Sequence, residues 1–204
     1  MVETQLVRRG LGDPKVLAAM RKVPRHRFVD EALRDRAYGD HPLPIGESQT
    51  ISQPFMVGLM SELLVLSGAE KVLEVGTGSG YQTAVLAELS RRVCSIERRA
   101  ALAGAARALL EELGYTNVWV RVGCGALGWP DEAPFDRILV AASAPAVPPP
   151  LFEQLVEGGR LVLPLGDDSG QTLTIVEKTD GQMRTTAHSA CMFVKLIGKY
   201  GWER

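Results

Sequence analysis

The sequence predicts an α/β fold: a mainly parallel sheet with helices on both faces, helices in front of it, and an antiparallel hairpin at its carboxyl end. Three observations predict it. Apolar strand-like runs alternate with helical runs through the middle of the chain. A glycine-rich turn joins the first of these strands to the helix after it. Near the end, Asp180-Gly181 separates two β-rich runs, a strong two-residue hairpin signal.

Asp13-Pro14 opens the first helix, with Asp13 as N-cap and Pro14 at the first helical position; Val16, Leu17, Met20 and Val23 form its apolar stripe. From Tyr38 to Pro54 the periodicity breaks at Pro42, Pro44, Gly46 and Pro54, giving a loop of about 15 residues, long enough to suspect function. A helix over Phe55 to Leu66 leads to the strand that starts at Val72. Further strands are expected at Arg92 to Ile96, Val118 to Val122, Arg137 to Ala141 and Arg160 to Leu165, with a helix near Leu151 to Val156. Thr172 to Glu177 and Met183 to Val194 then flank the hairpin turn. The whole of 1–204 reads as one domain: helices and loop in 1–66, a ligand-binding core in 67–166, and the hairpin in 167–204.

Composition is that of an ordinary soluble protein, 46% hydrophobic and 23% charged. A formal net charge of −1 gives no electrostatic reason to expect nucleic acid or an acidic membrane. No apolar run approaches the ~20 residues of a membrane span, and the amino terminus lacks the apolar core of a secretory signal. Cys94, Cys124 and Cys191 are odd in number and widely spaced, supporting neither disulfides nor zinc. The expectation is a cytoplasmic, metal-free monomer.

The chemistry concentrates in Val72-Leu-Glu-Val-Gly-Thr-Gly-Ser-Gly-Tyr81. Gly76, Gly78 and Gly80 let the backbone turn tightly, with Glu74 and Thr77 beside them, and the following helix offers free N–H groups. Glu97 ends the next strand about 20 residues later, where an acid can take the two hydroxyls of a ribose. Gly-x-Gly-x-Gly departs from the spacing that pyrophosphate binding wants, so S-adenosylmethionine (AdoMet) suits the turn better than a nicotinamide dinucleotide. Open parallel sheets bind ligands beyond the carboxyl ends of their strands. Gly123-Cys124-Gly125 and Ala141 to Pro145 should converge there with the glycine turn and Glu97.

Several further motifs resemble the protein-L-isoaspartate (D-aspartate) O-methyltransferase family. They are Val23-Pro-Arg-His26 with Phe28, Arg36-Ala-Tyr38, Pro42-Leu-Pro-Ile-Gly46, Gln49-Thr-Ile-Ser-Gln-Pro54, Leu127-Gly-Trp129, Gly158-Gly-Arg160 and Leu196-Ile-Gly-Lys-Tyr-Gly-Trp202. The resemblance implies a class I AdoMet-dependent, Rossmann-like core with an amino-terminal helical extension. It implies methyl transfer to the free carboxylate of L-isoaspartyl residues, and potentially D-aspartyl ones, in damaged proteins and peptides; S-adenosyl-L-homocysteine is the product. The ester then collapses to a succinimide whose hydrolysis returns part of the damage to aspartate. Ser52 is the implied active-site residue, with Thr50 and Ile51 lining the same loop toward the cofactor. A carboxylate acceptor is already ionised at neutral pH, so no general base is needed. Two alternatives stay open: a relative that methylates aspartate in one dedicated peptide partner, and a non-catalytic AdoMet-binding module.

Three departures from the family pattern carry expectations. Cys124 stands where relatives usually have an acid that accepts from the adenine amino group, so weaker AdoMet binding is expected unless the thiol simply fills space. Lys195, where relatives often have proline, restores a backbone donor. Gly46-Glu-Ser-Gln49 replaces a more usual Gly-His-Gly-Gln, and Glu47 is unhelpful to a carboxylate acceptor unless it points outward. His26 and His188 read as packed or exposed residues, and Trp129 and Trp202 as packing anchors.

Overall fold

In this computed structural model, which describes residues 1–203, the chain forms five α-helices and nine strands. After short helical turns, α1 spans Pro14–Lys22, its Asp13 cap accepting from the amides of Lys15 and Val16. A two-residue ladder, β1 (Leu43–Pro44) against β2 (Thr50–Ile51), leads into α2 (Pro54–Leu63). Then come β3 (Lys71–Val75), α3 (Tyr81–Leu89), β4 (Arg92–Glu97), α4 (Ala100–Glu112), β5 (Val118–Val122) and β6 (Phe135–Val140). They are followed by α5 (Pro149–Glu153), β7 (Leu155–Asp167), β8 (Gly170–Thr179) and β9 (Gln182–Cys191).

Seven strands make one sheet in the order β5-β4-β3-β6-β7-β8-β9. The five from β5 to β7 are parallel, and β8 and β9 add on antiparallel. The central strands β3 and β4 are buried along nearly their whole length, as a sheet covered on both faces requires, and successive side chains enter opposite cores. Val72, Val93, Leu139 and Val162 join the core beneath α1, α2 and α3. Leu73, Val75, Cys94, Ile96, Ile138 and Val140 join the opposite core, beneath Leu151 of α5.

The structure refines several expected elements. Leu155 and Val156, expected as the end of a helix, begin β7, because Leu155 pairs with Phe135; a short apolar run satisfies either period. The Tyr38–Pro54 segment is not wholly irregular, since it contains the β1–β2 ladder. The last strand stops at Cys191, earlier than expected, and the chain turns back across the top of the sheet. There Ser143 donates its N–H to the Val194 carbonyl and accepts from the Leu196 N–H, both at 2.8 Å. Those bonds come from the neighbours of Lys195, so its own N–H has no part in them and a proline would be tolerated. Lys195 instead pairs through Nζ with Asp168 at 2.6 Å. The Asp180-Gly181 turn has φ of 54° and 71°, the left-handed pair a tight hairpin needs.

No helix among the described residues is long and apolar enough to cross a membrane.

Candidate active site

A cleft of about 950 Å³ of empty space, its open mouth included, lies over the carboxyl ends of β3, β4 and β6. Its floor is the turn from β3 into α3. Gly76 and Gly78 hold φ of 98° and 54°, which favour glycine. The Gly76 N–H donates to the Ile96 carbonyl at 2.8 Å, pinning the turn to β4. Glu97 secures it again: one carboxylate oxygen accepts from the Gly78 N–H and the other from the Arg99 N–H, each at 2.9 Å. Glu97 keeps 7% of its surface, and that surface lines the cleft.

Beneath the floor runs a buried hydroxyl chain. Thr77 Oγ1 meets Ser95 Oγ at 2.6 Å, and Ser95 and Thr83 donate to one oxygen of Glu74 at 2.6 and 2.5 Å. The other Glu74 oxygen has no partner among the described residues. Burial pushes the Glu74 carboxyl up to about 8, against the two hydroxyls that favour its charge. It is therefore largely protonated at neutral pH and can stiffen the turn without adding charge beneath it.

The roof is the β1–β2 ladder. Asp40 accepts from the Phe55 N–H at 3.1 Å, tying the start of the segment to the first turn of α2. At its tip the Gln49 N–H donates to the Gly46 carbonyl at 2.8 Å around Glu47 and Ser48, whose φ are 51° and 56°. Two non-glycine residues thus occupy a left-handed turn, at a cost in strain. Glu47 points outward, reaching Arg99 at 3.5 Å across the mouth of the cleft. Ile45 presses on the floor: a Cβ on Gly78 would meet Ile45 Cδ1 at 3.2 Å. Behind the tip, Thr50, Ile51 and half-buried Ser52 turn into the cleft.

Of the positions singled out in the sequence, Thr50, Ile51, Ser52, Gly76, Thr77, Gly78, Glu97 and Gly125 line this one cleft. Four do not. Glu74 lies under the floor, as above. Gly80 faces away, where a Cβ would come 3.3 Å from Leu110 and 3.4 Å from Ala106 of α4; it lets that helix approach. Gly123 belongs to the approach rather than the wall, its N–H donating to the Glu97 carbonyl at 3.0 Å. Cys124 turns its sulfur toward Gly198, 2.6 Å from where a Cβ there would sit. Its thiol fills space beside the returning tail and lies outside the lining of the cleft.

The sequence reading missed one wall altogether. Val194, Lys195, Leu196 and Ile197 line the cleft because the tail recrosses the sheet, which no local pattern announces. Arg98, Arg99, Gln82 and Tyr81 were also passed over, although their positions directly after Glu97 and Gly80 were a usable signal.

Bare glycine backbone, a partly exposed carboxylate at the tip of the second strand, and an apolar neighbour in Ile96 suit an adenosine group without phosphates. With the sheet order, they define a class I AdoMet-dependent methyltransferase. The chain belongs to the protein-L-isoaspartate(D-aspartate) O-methyltransferase family, whose profile matches residues 1–201. It is 61% identical over 203 residues to protein-L-isoaspartate O-methyltransferase 1 of Syntrophobacter fumaroxidans, covering 100% of this chain and 95% of that one. It is 56% identical over 206 residues to the Syntrophus aciditrophicus enzyme of that name, covering 100% and 94%. A solved protein-L-isoaspartate O-methyltransferase superposes with a TM-score of 0.89 at 29% identity, over 98% of this chain and 67% of that one. A Plasmodium falciparum structure of the same class, in complex with S-adenosyl-L-homocysteine, gives 0.84 at 28%, over 96% of each chain.

Proposed function

We propose that the protein repairs damaged polypeptides by methylating the free carboxylate of L-isoaspartyl residues. One observation carries the reading beyond family membership: Ser52 opens into the same cleft as the glycine turn and Glu97. AdoMet, when bound, supplies an electrophilic methyl group on a sulfonium centre. Glu97 accepts from the ribose hydroxyls, while Gly76 and Gly78 lay bare backbone against the ligand. Ser52 donates a hydrogen bond to the acceptor carboxylate, holding one oxygen back so that the other is aligned for attack. Thr50, Ile51 and the Val194–Ile197 wall exclude water, which would solvate the separated charges better than the charge-neutralised transition state. No proton has to be removed, because the acceptor is ionised well below neutral pH. The acceptors are isoaspartyl proteins and peptides, not nucleic acid or lipid, and the enzyme acts as a cytoplasmic monomer.

The test is transfer of labelled methyl from AdoMet to matched peptides that differ only in isoaspartate or aspartate. Base-labile label on the isoaspartyl peptide alone is expected. Label on the aspartyl peptide would mean a dedicated modifier, and label on neither would end the reading.

A further inference from the structure

Behind the cleft wall lies a cation that the chemistry above does not use. Arg25 is 0% exposed, in the short helical turn Arg25–Phe28. Its Nε donates to the Ala37 carbonyl at 2.7 Å, and its guanidinium carbon sits 4.7 Å from the centroid of the Tyr81 ring. Neither Nη1 nor Nη2 has a hydrogen-bond partner among the described residues. Tyr81 is a wall residue of the cleft, set edge-on against Phe28, with its hydroxyl donating to Met20 Sδ at 3.8 Å. The carboxylate that acts on Arg25 is Asp40, already shared between Arg9 and the Phe55 amide.

Burying a guanidinium is costly, and an apolar side chain of similar volume generally packs as well or better. Anchoring Ala37 requires one N–H and no charge. What distinguishes arginine here is a permanent positive charge held against the Tyr81 ring. The Tyr81 ring stands between it and the cleft, so its field is weakly screened there.

We propose that Arg25 is a specificity-determining residue, which through the Tyr81 wall gives the cleft a positive potential that selects an anionic acceptor over a neutral one. The proposal rests on the carboxyl-methylation reading. It has a consequence independent of the acceptor: the same potential disfavours the sulfonium of AdoMet relative to the neutral thioether of S-adenosyl-L-homocysteine.

Calorimetry with both cofactors on the wild type, Arg25→Met and Arg25→Lys tests it. In Arg25→Met the ratio of the AdoMet to the S-adenosyl-L-homocysteine Kd should fall about three- to tenfold, the size of one charge at roughly 10 Å in a moderately polar medium. KM for the isoaspartyl peptide should rise by a similar factor, while Arg25→Lys keeps both near wild type. If both cofactors weaken together at constant ratio, Arg25 is only a structural anchor and the proposal is overturned. Should Arg25→Met not fold, the wild type decides. Inhibition by an isoaspartyl peptide is compared with that by the same peptide carrying a carboxamide in place of its free α-carboxylate, at about 0.05 and 0.5 M salt. A preference for the acid that survives high salt is expected. A preference lost in salt would point to the exposed charges of Arg99 and Lys195 and overturn the proposal. Failure of isoaspartyl methylation in the same preparation would remove the functional reading but leave the cofactor ratio as a test of Arg25.

Discussion

The floor of the cleft hangs from adjacent parallel strands, whereas its roof is a two-residue ladder whose tip forces Glu47 and Ser48 into positive φ. In the floor, every constraint is redundant. Gly76 is tied to β4, Gly78 and Arg99 to Glu97, and Thr77 to a buried chain that ends on Glu74. The roof is held by few bonds, among them the Asp40–Phe55 tie and an exposed ion pair, and exposed pairs contribute little. A cofactor that is the same in every turnover suits a preorganised surface; acceptors that vary in sequence suit one that can adjust. The difference also separates two kinds of departure from local rules. Burying Glu74 serves rigidity, and the strained tip serves position.

The largest expected effect breaks the floor's buried chain. Glu74 has a folded pKa of about 8, above its ordinary value near 4.5. Between those two values the unfolded chain releases a proton that the folded one keeps, so stability falls as pH rises through that window and levels off above about 8. The loss amounts to about 5 kcal/mol across the window. Glu74→Gln keeps an acceptor for Ser95 and Thr83 and should abolish the slope. Denaturant unfolding of both proteins from pH 5 to 8.5 checks this; parallel slopes would refute it. Glu70, which precedes β3, is the contrast. Burial would raise its carboxyl too, but donors from Ser67 and the Gly68 N–H hold it down to about 2. Its contribution is present above about 4.5 and is lost as pH falls through about 2.

A smaller effect sharpens the roof. Ser48→Gly should stabilise the protein by about 0.5–1 kcal/mol, because glycine adopts the left-handed turn without strain while its extra unfolded-state freedom offsets part of the gain. A lower melting temperature in that variant would show that the tip is not strained.

Legibility in the sequence followed the range of the interactions. The glycine turn, Glu97, the Asp13 cap and the Asp180-Gly181 hairpin all obey rules that act within a few residues, and they could be read directly. Leu155 and Val156 could not, because a short apolar run serves a helix or a strand until its partner is known. Nor could the wall at Val194–Ile197, since it depends on a chain crossing that pairs residues far apart in sequence. Cys124 shows the same limit on the scale of one side chain: its neighbours predicted the cleft, but Gly198 from the returning tail gives its sulfur somewhere else to go. Arg25 was visible as part of a motif, yet its burial beside Tyr81 follows only from packing.

The division of labour between floor and roof is tested most directly by two variants measured side by side, with AdoMet binding by calorimetry and methyl transfer at saturating cofactor. Glu97→Ala should weaken AdoMet by about a hundredfold, as expected for losing a charged acceptor. Ser52→Ala should leave AdoMet affinity within about twofold and slow transfer to the isoaspartyl peptide by about ten- to a hundredfold. Loss of AdoMet affinity in Ser52→Ala, with normal transfer once the cofactor is saturating, would contradict that division.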